Sequence, residues 1–299
     1  MARPHIEPYV ELNDAYQAFD LPAFPSGSLY KVLSMDANTG ACSLKMRFDA
    51  GYRRKPGMSY SDFEMFILAG RVTIGAATYG RGHYFFIPAG IATGAMHSAD
   101  GFEALVFYND GLPSFVESDE HHALALHEAC VSTNAYLDAP WLSTARRNPG
   151  VASGFAVKSL RMNPLTKANT FLYAAIPEFM QDNISYHDCA EEAYHIHGDC
   201  SMMQFGELPT GGYFWRPAYI NHGCFWSRHG CIALARIDGE LYNYFHYNPW
   251  TNPDENARRA AAQLYAEKPN LVDWTTMSDH NHSHHSHDAG HDPDHNHEE

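Results

Sequence analysis

Long apolar runs are missing from this sequence, and no stretch approaches the roughly 20 residues that a membrane-spanning helix needs. Its first residues, MARPHIEPYVELND, lack the basic segment, apolar run and small-residue cleavage site of an export signal. Cysteine is sparse: six residues, at 42, 130, 189, 200, 224 and 231, show neither CxxC spacing nor the density of a disulfide scaffold. Together these absences predict a cytoplasmic protein in a reducing compartment. Positive charge is short as well, with 20 Lys and Arg against 35 Asp and Glu and a formal charge of −15. That balance argues against nucleic acid and anionic membranes as partners, since both reward basic surfaces. Helical periodicity is scarce. The clearest helix is expected at Pro253 to Ala266 (PDENARRAAAQLYA), with Pro at the first turn, early acids and an Ala-rich body. A weaker one is expected at Asp119 to Ala129.

What fills the chain instead is a series of short runs rich in Val, Ile, Phe and Tyr, separated by Gly, Pro, Asn or Asp, the pattern of an all-β protein. The runs repeat. Residues 82–96 (GHYFFIPAGIATGAM) align without gaps on 211–225 (GGYFWRPAYINHGCF), with seven of fifteen positions identical. An offset of about 128 also brings Glu64 and Gly70 onto Glu192 and Gly198, and Gly111 onto Gly239. Two copies of one fold follow, joined by residues 116–154. After Met277 the run SDHNHSHHSHDAGHDPDHNHEE carries eight of the twenty histidines and no apolar residue larger than Ala. Such a segment cannot bury a core and is expected to be disordered. It is either a soluble acidic tail or a weak, multivalent binder of extra metal ions.

The second copy contains Ser185-Tyr-His187-Asp-Cys-Ala-Glu191-Glu192-Ala-Tyr-His195-Ile-His197-Gly198 and then Arg216-Pro217-Ala-Tyr-Ile-Asn-His222-Gly. Here the chain resembles the cupin superfamily. The family's first motif has two histidines two apart, a Glu shortly after and a Gly seven beyond that Glu; its second has a Pro five residues before a third His. On that resemblance His187, Glu191 and His222 are the expected metal ligands, and Ser185 stands where the family's first histidine would be. The set of two imidazoles and one carboxylate suits one divalent ion, Fe(II) first, with Mn, Ni or Zn possible. Residues two apart on a strand face the same way, which lets ligands converge inside a barrel. The wording EEAYHIHGD and YFWRPAYINHG resembles most closely bacterial cupins related to the zinc-binding anti-sigma factors of the ChrR type.

The resemblance implies two tandem cupin barrels of jelly-roll type, with a few short helices and the C-terminal tail. The boundaries are a first barrel at 1–115, a connecting segment at 116–154, a second barrel at 155–250, a helix within 251–277 and the tail at 278–299. A homodimer is a further implication. In the first copy the positions aligned to the ligands are Ser59, Phe63 and Thr93, so that barrel is expected to be degenerate, although Tyr60, Asp62, Glu64, His83 and His97 lie near enough to build a relocated site.

Neighbouring residues extend the reading. If Glu191 points inward, alternation puts Ala193, His195 and His197 on the same face and Tyr194 on the other. His195 is then a candidate proton carrier or a core histidine, and His197 a core residue. Arg216 is a candidate clamp for a carboxylate or enolate, or a solvated surface residue. Cys189 and Cys224 lie close enough in sequence to the ligands to coordinate, which would favour zinc, and Glu192 is the alternative carboxylate if the register is off by one. The expected function is a metal-dependent enzyme, an Fe(II) dioxygenase acting on a small oxygenated organic substrate. A lyase or isomerase using the same site, and a zinc-binding sensor or interaction protein, are the alternatives.

Overall fold

The computed structural model describes residues 3–20, 24–146 and 150–246, together with Ala262 and Ala266. Strands dominate, and they build two barrels. The first rests on a sheet ordered Val131–Asn134, His83–Ile87, Phe63–Ile74, Phe102–Tyr108, Cys42–Phe48, Ser28–Met35 and Gln17–Ala18. The second repeats it with Ile6–Val10, Gly212–Arg216, Glu191–Gly198, Cys231–Ile237, Asn169–Ala175, Phe155–Met162 and Leu142–Ser143. A further sheet, ordered Gly206–Leu208, Cys200–Met202, His222–Ser227, Phe179–His187 and Asn243–His246, closes the second barrel. Every strand pairing is antiparallel, as expected for a jelly roll.

Alternation along each strand divides two cores. Phe171, Tyr173 and Ala175 point into the second barrel, while Thr170 and Leu172 point between the barrels. The layer between the barrels is a core in its own right, built from Phe66, Tyr84, Leu105 and Phe107 of one copy against Leu172, Tyr194, Tyr213 and Leu234 of the other. Strands buried on both faces explain why so many runs read as continuously apolar.

The copies also exchange strands. Ile6–Val10, before the first barrel, pairs with Gly212–Arg216 of the second, matching Ile6 to Trp215 and Tyr9 to Tyr213. Val131–Asn134, before the second barrel, pairs with His83–Ile87 of the first, matching Val131 to Phe86 and Asn134 to His83. The recipients are the repeat-related strands, so the exchange is reciprocal.

A polar knot crosses the layer between the barrels. Glu64 accepts hydrogen bonds from Tyr84 Oη (2.7 Å), Thr170 Oγ1 (2.6 Å) and Asn109 Nδ2 (2.9 Å). Its repeat mate Glu192 accepts from Tyr213 Oη (2.5 Å) and Ser43 Oγ (2.6 Å). One guanidinium serves both: Arg236 donates to Glu64 at 2.9 Å and to Glu192 at 2.5 Å, with its Cζ 4.2 Å from the ring centre of Phe107. Burial alone would raise both carboxyls, but Arg236 and the surrounding donors hold them below the usual carboxylate range.

One expectation changes and two lie largely or wholly outside the described residues. Asp119–Ala129 is not a helix: only His127–Ala129 forms a single 3-10 turn, and Leu124 and Leu126 are exposed, so no apolar face packs to sustain more. Of the helix expected at Pro253 to Ala266, only Ala262 and Ala266 are described, both helical, and the tail at 278–299 lies outside the described residues. Among the described residues no helix is long and apolar enough to cross a membrane.

Candidate metal centre

His187 ends the strand Phe179–His187, Glu191 begins Glu191–Gly198 and His222 begins His222–Ser227. Strand ends at one rim of the barrel thereby bring His222 to the neighbouring pair His187 and Glu191. One ligand atom of each lies within 4.8 Å of the others, and among the described residues this is the only such group of three. His187 Nε2 stands 3.3 Å from Glu191 Oε2, and the two imidazole centres are 4.7 Å apart.

The backbone fixes both rings. His187 Nδ1 lies 3.1 Å from the carbonyl oxygen of Cys189, and His222 Nδ1 lies 2.9 Å from that of Ile220. A carbonyl only accepts, so each Nδ1 carries a proton and each Nε2 is turned to the centre, the arrangement that orients metal-ligating histidines; His222 Nε2 presents a lone pair there, and His187 Nε2 does so once its own proton is displaced. Burial opposes charge on His187, yet the adjacent Glu191 carboxylate raises it to about 10. Burial would likewise raise Glu191, but His187 and Arg216 hold it at about 2. Burial, with Arg216 nearby, pushes His222 down to about 3. The donor set fits a divalent ion: two neutral-capable imidazoles and an ionised carboxylate converge, and an ion would displace the proton that His187 otherwise holds.

Arg216 faces the centre and is fully buried, which excludes the solvated-surface reading. Cross-strand register sets it opposite Glu191. Its Nη1 lies 3.5 Å from Glu191 Oε2, its Nη2 lies 2.5 Å from Glu7 Oε1, and its Cζ lies 4.0 Å from the Phe214 ring centre. Glu7 arrives on the exchanged N-terminal strand. Sequence reasoning missed it, since IEPYV carries no periodic signal and no motif.

His195 points inward as alternation requires but stands one layer behind the cavity wall. Tyr173 Oη lies 2.8 Å from its Nε2 and Cys200 Sγ 3.4 Å from the same nitrogen, while Nδ1 is buried without a hydrogen-bond partner. Burial pushes its pKa down to about 3, so the ring is neutral. Tyr173, which nothing in the sequence distinguishes from an ordinary core tyrosine, is the residue that reaches the cavity. His197 is exposed, because a register shift between His195 and His197 breaks the alternation that would have kept it inside. Cys189 and Cys224 are buried and stand outside the ligand group. Glu192 faces the layer between the barrels, one residue out of register with the centre.

The triad opens into a cavity of about 640 Å³, whose wall also includes Ser185, Arg216 and Tyr173. At the repeat-related place in the first barrel, Ser59, Phe63 and Thr93 line a void of only about 30 Å³. Arg54 fills the space: its Nη2 donates to Thr93 Oγ1 at 2.6 Å and its Cζ stacks 4.5 Å from the Phe115 ring centre. The residues available for a relocated site are dispersed, with Tyr60 exposed, Glu64 in the polar knot and His83 bonded to Ser132.

Comparison with known proteins matches residues 27–244 to a family described as a domain of unknown function, DUF4437. No curated protein matches the chain. Among solved structures, a Nostoc punctiforme PCC 73102 protein provisionally named a dioxygenase superposes with a TM-score of 0.74 at 17% identity, covering 81% of this chain and 91% of that one. A Bacillus subtilis oxalate decarboxylase variant gives 0.54 at 12% identity, covering 81% and 80%. An Escherichia coli protein, Ylba, of the family DUF861 gives 0.55 at 13% identity, covering 77% and 89%. At these identities the likeness shows a shared cupin fold.

Proposed function

The chain belongs to the DUF4437 family, and from that premise we propose a metal-dependent bicupin enzyme, specifically a mononuclear non-haem Fe(II) dioxygenase acting on a small oxygenated organic substrate. The observation that carries the reading is the convergence of His187, Glu191 and His222, with both Nδ1 atoms committed to backbone carbonyls, at the end of a cavity large enough for an organic molecule. Two imidazoles and one carboxylate would hold a ferrous ion with adjacent open positions, and the ion would supply redox and Lewis-acid chemistry there.

The protein's own groups have defined tasks in this proposal. Arg216 binds and orients a substrate oxygen, its guanidinium fixed by Glu7 and Glu191. Tyr173 holds or delivers a proton at its Oη, and His195 acts behind it by sharing that hydrogen bond. If turnover proceeds without oxygen, the same residues serve a lyase or isomerase, with Tyr173 and Arg216 stabilising an enolate. The resemblance to ChrR-type zinc sensors rests on motif wording, and the exclusion of Cys189 and Cys224 from the group of candidate ligands weighs against a thiol-based sensor.

The test is oxygen uptake by Fe(II)-loaded full-length protein on a panel of diketones, phenols and hydroxy acids. Uptake that matches substrate loss and disappears in His222→Ala supports the dioxygenase. Substrate loss without oxygen uptake replaces it with the lyase or isomerase. Bound metal without turnover of any member contradicts the proposed substrate class.

A further inference from the structure

The cavity is too large, and too unevenly lined, for the small polyoxygenated acids that its metal centre alone would suit. Its volume of about 640 Å³ lies within the range of pockets that take drug-sized organic molecules. A six-atom dianion such as oxalate would occupy a small corner of it.

Polarity is graded along its length, and one strand shows the gradient directly. Phe179, Gln181, Asn183, Ser185 and His187 all line the cavity, in that order along Phe179–His187. The His187 end holds the metal triad and Arg216. Around Phe179 stands an aromatic enclosure, with Phe155 5.5 Å and Phe225 5.7 Å from it between ring centres, and Tyr173 5.3 Å from Phe155. The enclosure lies close to the metal end: Phe225 stands three residues from His222 on the strand His222–Ser227, roughly 10 Å at about 3.3 Å per residue. Paired strands keep the gradient: Ser185 lies opposite His222 at the polar end, and Phe179 lies opposite Ser227 near Phe225.

Charge at the polar end narrows the head group. Apart from the imidazoles, Glu191 and Arg216 are the only charged side chains among the described lining residues, and Glu7 neutralises Arg216 from behind. With a divalent ion in place the sum is two positive charges from the ion, one from Arg216 and two negative charges from the glutamates, a net single positive charge. A monoanion balances it; a dianion leaves an uncompensated buried charge.

We infer that the ligand of this site is an amphiphilic monoanion, a chelating 2-oxo or 2-hydroxy acid head attached to an aryl or branched aliphatic body that lies against Phe155, Phe179 and Phe225. The inference rests on the metal-centre reading for the head group and on the cavity alone for the body. Burying one phenyl ring in an apolar enclosure raises affinity by about tenfold or more.

Isothermal titration of the full-length protein with Mn(II) present, under nitrogen, tests it with phenylpyruvate, pyruvate and oxalate as probes. Phenylpyruvate binding at least about tenfold tighter than either other acid is the expected result. Val157→Trp, which fills the cavity from the strand opposite Tyr173, erases that margin while metal content and pyruvate affinity stay unchanged. Phe179→Leu is the gentler variant and weakens phenylpyruvate alone, by several-fold. Equal affinity for the three acids, or preference for oxalate by metal-loaded protein, overturns the inference and leaves the metal centre standing. Preference for phenylpyruvate by protein that retains no metal supports the apolar body and removes the metal centre instead.

Discussion

The two barrels share strand order, register and the glycine-bounded turns, yet one is filled and the other is open. In the first, Phe63 and Arg54 occupy the interior and leave about 30 Å³; in the second, His187, Glu191 and His222 border about 640 Å³. Three exchanges account for the chemical difference: Ser59 for His187, Phe63 for Glu191 and Thr93 for His222. The first barrel nevertheless keeps a positive charge at this place, since Arg54 bonds Thr93, the counterpart of His222. Burial lowers its pKa, and among the described residues no carboxylate stands within salt-bridge range of it. The comparison teaches that one scaffold accommodates either interior, since the layer between the barrels is built from the opposite faces of the same strands and does not depend on which one is chosen.

The largest effect expected from breaking that contrast is loss of the ion. His187→Ala and His222→Ala each lower metal affinity by on the order of a hundredfold or more, measured by competition with a chromogenic chelator. Ser59→Ala and Thr93→Ala leave it unchanged. Next comes the layer that the barrels share. Arg236→Met leaves Glu64 and Glu192 buried without their cation and costs about 3–5 kcal/mol in urea unfolding, since removing one partner strands the others.

A graft sharpens the comparison further. Ser59→His, Phe63→Glu and Thr93→His together place the triad in the first barrel, but Arg54 repels an ion there. The triple variant gains no tightly held second ion, and adding Arg54→Met improves its affinity by about tenfold, read by the same competition assay. The smallest effect concerns pH. Glu64 and Glu192 have carboxyls held below the usual 4.5, so their stabilisation is present above that value and lost as pH falls through the lowered values. The melting temperature therefore drops between pH 5 and pH 3, and Glu64→Gln with Glu192→Gln flattens the drop.

The repeat and the cupin motifs made the duplicated all-β fold and the grouping of His187, Glu191 and His222 legible, because motif spacing and strand alternation are both local properties of sequence. Cross-strand facts were not. The sequence leaves Arg216 either a substrate clamp or a surface residue; its pairing with Glu191 places it in the cavity, and Glu7 reaches it through a strand exchange that no motif marks. His195 was legible as inward but not as screened by Tyr173, a contact between different strands. His197 was misplaced because a single register shift reverses alternation and leaves no trace in the residues around it. Glu64 and Glu192 were visible as repeat mates, but their joint use of Arg236 required the barrels to be brought together.

The claim that only the second barrel holds an ion is tested most directly by anomalous diffraction from crystals of the full-length chain grown with Mn(II) or Fe(II) under nitrogen. The account predicts one strong peak about 2.0–2.3 Å from His187 Nε2, Glu191 and His222 Nε2, and none beside Ser59, Phe63 and Thr93. A peak in the first barrel, or none at His187, Glu191 and His222, would contradict it.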